Sequence, residues 1–198
     1  MANINGTEQE DGTIPTLIER CRSGDMSAFG KIMESHQQYA YALAFRVLRD
    51  DDLAKDVVQE AFIRVWKHIG AYRSTVKFTT WLYTIVVHLC YDSIKMRSRQ
   101  FRIFDLFSRV STGKEIPDSP NAGDTFERKS IAEHILIIAK DLPPKQQLVF
   151  MLRDVQDFTI EEIAETAKMS ISTVKANLSY ARRHIRNVYG ALEHRGEI

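Results

Sequence analysis

Wherever this chain is patterned, its apolar residues return every three or four positions, and nowhere do they alternate over the length of a strand. Phe29, Ile32, Met33, Ala40, Leu43, Ala44, Val47 and Leu48 fall on one helical face, with Asp25 placed to cap its start. After the acidic break at Asp50 to Asp52, a second helix runs to about Ile69 with Leu53, Val57, Val58, Ala61, Phe62, Val65 and Trp66 on its apolar side. A third starts near Phe78, carries Trp81, Leu82, Ile85, Val86 and Leu89 inward, and turns basic at Lys95. The fold class expected is all-α.

From about Gln100 to Lys129 the pattern weakens, and Gly113, Pro117, Pro120, Asn121 and Gly123 mark a stretch unable to continue as regular helix. Its opening, Phe101-Arg-Ile-Phe-Asp-Leu-Phe107, is more apolar than a free linker should be. Helical spacing resumes at Ile131, Ile135, Ile138 and Leu142, breaks at Pro143-Pro144, and restarts through Leu148, Met151, Leu152 and Val155. The expected organisation is therefore a segment 1–24, a helical domain 25–100, a flexible linker 101–129, a second helical domain 130–190 and a tail 191–198.

Within the second domain, Thr159-Ile-Glu-Glu162 has the capping-box pattern, in which the Thr hydroxyl and Glu carboxylate satisfy free N–H groups at a helix start. Ile163, Ala164 and Ala167 form a short stripe, a turn follows at Lys168-Met169, and Ser170 can cap a last helix through Val174, Leu178, Ala181 and Ile185. This is the layout of a helix-turn-helix, whose second helix can enter a major groove roughly 12 Å wide. Lys175, Ser179 and Arg182 recur opposite the apolar stripe, flanked by Thr173, Asn177 and Tyr180, and such a face can donate to phosphates and bases. Spacing alone leaves an ordinary helical hairpin open.

Charge narrows the function classes. The chain has 27 Lys and Arg against 26 Asp and Glu, yet the local sums are uneven. Asp50, Asp51, Asp52, Asp56 and Glu60 face a single Lys55, whereas Lys95, Arg97, Arg99 and Arg102 form one basic run and Lys175, Arg182, Arg183 and Arg186 another. No apolar run approaches the roughly 18 residues of a membrane span, and the first ten residues lack a basic-then-apolar leader, so a cytoplasmic protein without membrane insertion is expected. Cys21 and Cys90 have neither CxxC spacing nor a histidine set and read as buried thiols. There is no Gly-rich phosphate loop, HExxH or GxSxG, so no enzyme, cofactor or metal is expected.

Leu142-Pro-Pro-Lys-Gln-Gln-Leu-Val-Phe-Met-Leu152, Thr159-Ile-Glu-Glu-Ile-Ala164 and Ser172-Thr-Val-Lys-Ala-Asn-Leu-Ser-Tyr-Ala-Arg182 together resemble the promoter-reading C-terminal domain of extracytoplasmic-function (ECF) sigma factors. Independently, Asp56-Val-Val-Gln-Glu-Ala-Phe-Ile-Arg-Val-Trp66 and Phe78-Thr-Thr-Trp-Leu-Tyr-Thr-Ile85 resemble the other domain of that sigma-70 group, region 2, in the right order. The resemblance implies a promoter-specificity factor for bacterial core RNA polymerase. Its first domain would grip the β′ clamp and read the minus-ten element, and its second, region 4, would meet the β flap and read the minus-thirty-five element. An anti-sigma partner is implied as well.

Residue by residue, the resemblance implies polymerase binding through Asp52, Asp56, Gln59, Glu60 and Ile63, which lie opposite Val57, Ala61 and Val65; a solvated acidic face is the plain alternative. Arg73, Lys77, Tyr83, His88, Tyr91, Lys95, Arg97 and Arg99 would hold separated DNA strands by charge and stacking, while Trp81 continues the core stripe. Lys175, Ala176, Ser179 and Tyr180 would face bases, with Arg182 and Arg183 mostly on phosphates and Ser172 and Thr173 also among the DNA-binding residues. Four positions depart from the family pattern: His88 where Asn is usual, Gln147 and Asn177 where Arg is common, and Lys168 where the turn often has Gly. At Lys168 a positive φ is expected, at about 1 kcal/mol. His88 would then take part in choosing the captured minus-ten base, unless it only packs locally. A stand-alone helix-turn-helix regulator is the competing reading.

Overall fold

The computed structural model describes residues 13–112, 130–196 and 198, with side chains at 102–112 excepted. The chain divides into two compact units, 1–90 and 91–198, and every regular element among the described residues is helical. In order these are α1 (Ile14–Arg22), α2 (Met26–Leu48), α3 (Asp51–His68), a 3₁₀ turn (Ile69–Ala71), α4 (Phe78–Thr112), α5 (Ile131–Ala139), α6 (Pro144–Phe150), a π turn (Met151–Val155), α7 (Ile160–Thr166) and α8 (Ile171–Arg195).

In the first unit, α2 starts where expected: Asp25 Oδ1 accepts from the backbone N–H groups of Ser27 (2.9 Å) and Ala28 (3.1 Å). Helix α2 ends at Arg49, whose φ of 53° turns the chain so that Asp50 can cap α3 through the Leu53 N–H at 3.1 Å. Asp51 and Asp52 occupy the positive first turn of α3, and Lys67 and His68 its negative last turn. The wholly buried Ala40, Ala44, Ala54 and Ala61 let helix backbones approach, and larger side chains fill the remaining space. Phe29 meets Trp66 at 5.0 Å and Phe62 edge-on at 6.4 Å between ring centroids. Around the start of α4, Tyr72, Phe78 and Trp81 pack together, with His36 of α2 edge-on to Phe78 at 5.2 Å.

Helix α1 lies in the stretch expected to stand outside the first domain, yet Leu17, Ile18 and Cys21 are buried and α1 packs on α2. Arg22 reaches 50 residues along the chain to donate to the Tyr72 carbonyl at 2.7 Å, and Arg20 pairs with Asp25 at 2.8 Å. The domain therefore begins before residue 25. The expected end of the first domain at residue 100 is not a break in the helix: α4 continues to Thr112, and the first compact unit ends within it, at residue 90. Nothing between Phe101 and Thr112 is a glycine or proline, so backbone hydrogen bonding continues although the apolar period fades. The breakers at Gly113, Pro117, Pro120, Asn121 and Gly123 lie outside the described residues, as do the first ten residues read for a leader.

Both cysteines are buried, as read. Burial pushes the Cys90 thiol up to about 12, and burial first and Asp25 second raise that of Cys21. Neither is a ready thiolate at neutral pH.

In the second unit, Ser130 and Glu133 form a capping box at α5, and Pro144 opens α6. The π turn widens the end of α6, after which Asp157 takes a φ of 58° and the Arg153 side chain donates to the Phe158 carbonyl at 2.9 Å. Thr159 and Glu162 form the expected capping box: the Glu162 N–H reaches the Thr159 hydroxyl at 3.1 Å, and Glu162 accepts the Thr159 N–H at 2.8 Å. Lys168 has a φ of 51°, and Ser170 caps α8 through the Thr173 N–H at 3.2 Å. Val174, Leu178, Ala181 and Ile185 of α8 are buried with Ile163, Leu148 and Leu152. Each large apolar side chain so buried contributes about 1.5–3 kcal/mol. Residues 191–195, expected as tail, complete α8, which stops at Gly196 with φ 68°.

Candidate functional site

Helix α3 is amphipathic in the sense required for a docking face. With Ala54, Val57, Ala61, Phe62 and Val65 turned inward, Asp52, Asp56, Gln59 and Ile63 are exposed and Glu60 is half-exposed on the opposite side. Ile63 is unusual there, an isoleucine left 39% exposed among acids. Glu60 is steadied by Arg64 at 2.8 Å, one helical turn on, whereas Asp52 and Asp56 make no ion pair among the described residues. At the start of the helix, Asp51 takes a proton-bearing hydrogen bond from the Tyr41 hydroxyl and a 2.6 Å ion pair from Lys55. Lys55 first, then Tyr41, holds the Asp51 carboxyl below the usual range, so that end of the face stays anionic.

The loop into α4 presents a second surface. Tyr72 donates its hydroxyl to the Val76 carbonyl at 2.6 Å, which closes residues 72–76 into a compact turn. Arg73, Val76 and Lys77 are exposed on it. Along α4, Tyr83, His88 and Tyr91 are half-buried while Leu82, Val86, Val87, Leu89 and Cys90 face inward. Trp81 and Ile85, expected in the core, are only half-buried. Burial first, and the charge of Tyr39 on α2 second, raise the Tyr83 phenol. Tyr39 is 66% exposed and carries no sequence signal, since the phenol it influences is 44 positions away on another helix. Further along α4, Lys95 and Arg99 are exposed and Arg97 lies over the exposed Phe101 ring at 5.7 Å.

The third surface is α8. Lys175, Leu178, Ser179, Arg182, Arg183 and Arg186 line one open groove of about 480 Å³. Ser172, Lys175, Ala176, Ser179 and Tyr180 are exposed, and Thr173 is half-buried. The Arg183 guanidinium sits over the Tyr180 ring at 4.9 Å. Two side chains are committed within the protein. Asn177 donates to the Thr173 carbonyl at 2.8 Å, one turn back. Arg182, read as a phosphate contact, grips Asp154 through Nε (2.9 Å) and a terminal nitrogen (2.6 Å). Gln147 is buried rather than presented to a partner.

Two family models match the chain in the order of its units: Sigma-70 region 2 over residues 32–100, and Sigma-70 region 4 over residues 139–185. The chain belongs to the sigma-70 family. Among its relatives, the sigma factor is 26% identical to the ECF RNA polymerase sigma factor SigW of Bacillus subtilis, an alignment covering 87% of this chain and 95% of that one. It is 28% identical to the ECF sigma-E factor of Haemophilus influenzae, over 90% of this chain and 96% of the other.

Two solved structures share the sigma factor's fold: RpoE of Bartonella quintana in complex with the anti-sigma factor NepR (TM-score 0.54, 19% identity, 82% and 96% covered), and CnrH in complex with the cytosolic domain of CnrY (0.53, 18%, 88% and 96%). The sigma factor is thus a member of the ECF group, a family of regulators of transcription initiation. No helix among its described residues is long and apolar enough to cross a membrane.

Proposed function

We infer that this sigma factor binds bacterial core RNA polymerase and directs it to promoters defined by minus-ten and minus-thirty-five elements. What carries the reading is the coincidence of the two family matches with two different exposed surfaces: an acidic α3 face in the region 2 unit and a basic α8 face in the region 4 unit. An acidic face repels DNA, yet it suits a protein that docks first to a basic protein surface. The domain assignments are correspondingly region 2 up to about residue 100 and region 4 from about residue 130.

Asp52, Asp56, Gln59, Glu60 and Ile63 are the proposed clamp contacts. Arg73 and Lys77 on the closed turn, with Tyr83, His88, Tyr91, Lys95, Arg97 and Arg99 along α4, are proposed to hold the separated minus-ten strand. On α8, Lys175, Ala176, Ser179 and Tyr180 face bases, Arg183 faces phosphate, and Ser172 and Thr173 belong to the same DNA-binding face. The polymerase supplies the metal chemistry of RNA synthesis, so this subunit is not itself an enzyme and works in the cytoplasm. Control by an anti-sigma factor is part of the proposal, supported by the fold neighbour RpoE, whose structure holds a partner described as an anti-sigma factor.

An Asp56→Lys, Glu60→Lys double variant tests the reading. Co-purification with core polymerase should fall while helical circular dichroism is unchanged, because both side chains point away from the α3 core. Unchanged co-purification of the folded variant would overturn the clamp assignment. Gel shift of promoter DNA by the protein without polymerase would favour an independent DNA-binding regulator.

A further inference from the structure

Arg182 stands in the middle of the basic α8 face, but its contacts set it apart from the cations around it. Lys175, Arg183 and Arg186 form no ion pair among the described residues, whereas Arg182 engages both carboxylate oxygens of Asp154 in a fork at 2.9 and 2.6 Å. Parallel N–H···O bonds of this kind fix orientation as well as position. Asp154 belongs to the π turn, 28 residues away along the chain. That turn is itself held: the Phe158 N–H returns to the Leu152 carbonyl at 3.0 Å, and Arg153 binds the Phe158 carbonyl. The same segment leads directly into the Thr159 capping box that starts α7.

The fork therefore joins the exposed side of α8 to the π turn that precedes α7, whereas Leu178, Ala181 and Ile185 anchor only the apolar side of α8. A phosphate approaching Arg182 would meet the Asp154 carboxylate that already occupies two of its donors. We propose that Arg182 is a positioning residue: paired with Asp154, it sets the rotation of the recognition helix about its own axis, and phosphate neutralisation on α8 falls to Arg183 and Arg186. This rests on the reading of α8 as the minus-thirty-five helix, and it removes from that reading one expected phosphate contact.

The test uses the full chain assembled with core polymerase and a promoter selected by the wild type from a randomised minus-thirty-five library. Binding is measured over a salt series for wild type, Asp154→Asn, Arg182→Lys, Arg182→Asp and the exchanged pair Asp154→Arg, Arg182→Asp. A positioning fork predicts that Asp154→Asn and Arg182→Lys weaken promoter binding alike, by about three- to tenfold, with the slope of log affinity against log salt unchanged. Reselection with these two variants should broaden the preferred minus-thirty-five sequence. The exchanged pair should recover most of what Arg182→Asp loses, which no phosphate contact at position 182 allows.

The opposite pattern overturns the proposal: Arg182→Lys binding as wild type, Asp154→Asn binding more tightly, and Arg182→Asp lowering the salt slope by about 0.9 or more with no recovery in the exchanged pair. Circular dichroism of each variant identifies any that fail to fold, and Arg182→Lys, which keeps charge and length, decides the matter if the others do. Absence of promoter binding by the wild-type holoenzyme overturns the promoter-factor reading and this proposal together. A working wild type with an unrecovered exchange overturns this proposal alone.

Discussion

Replacing Lys168 by glycine should stabilise the second unit. Lys168 is exposed at a φ of 51° in the turn between α7 and α8, and its side chain has no hydrogen bond or ion pair among the described residues. A side chain in the left-handed region costs roughly 1–2 kcal/mol. Glycine relieves that strain but loses more conformational freedom on folding, about 0.5–1 kcal/mol relative to alanine. The difference leaves a net gain of about 0.5–1 kcal/mol, equivalent to roughly a two- to fivefold shift in the folding equilibrium.

The turn's backbone bonds, Lys168 N–H to Glu165 (3.4 Å) and Met169 N–H to Ala164 (2.9 Å), are untouched by the change. Hydrogen exchange of the buried Val174 and Leu178 amides on α8 reads the effect, with protection rising by that factor. The protein's two tryptophans, Trp66 and Trp81, both lie in the first unit, so their fluorescence transition serves as an internal control and should not move. Lys168→Ala keeps a Cβ and should give no gain. Equal protection in the Ala and Gly variants, or lower protection in Gly, would refute the strain argument.

Glu162→Gln should flatten the acid side of the second unit's stability curve. The Thr159 backbone N–H first, and its hydroxyl second, hold the Glu162 carboxyl below its ordinary 4.5, so its contribution is present above that pH and lost as pH falls through the lower folded value; acid denaturation followed by α8 amide exchange measures it. His88→Asn should change the preferred minus-ten sequence without changing polymerase binding, because a neutral imidazole offers one donor and one acceptor where an amide side chain offers a different set. Transcription of a randomised minus-ten library by wild type, His88→Asn and His88→Ala tests this, and three superimposable profiles would make His88 a packing residue.

Sequence alone determined what is local along the chain. Helix caps at Asp25, Thr159 and Ser170, the strained Lys168, and the apolar stripes of α2, α3 and α8 all depend on neighbours within about one helical turn, where period and capping chemistry act directly. The same stripes exposed their complements, so the acidic α3 face and the basic α8 face were legible as faces. Tertiary structure decided what depends on partners far away in sequence. The burial of α1, with Arg22 on the Tyr72 carbonyl, could not be read from a nine-residue segment whose apolar side faces α2. Likewise Arg182, one of several similar cations by pattern, is separated from Arg183 by a carboxylate 28 residues upstream. Helical period reports which way a side chain points; which group it meets there is set by how the chain folds back on itself.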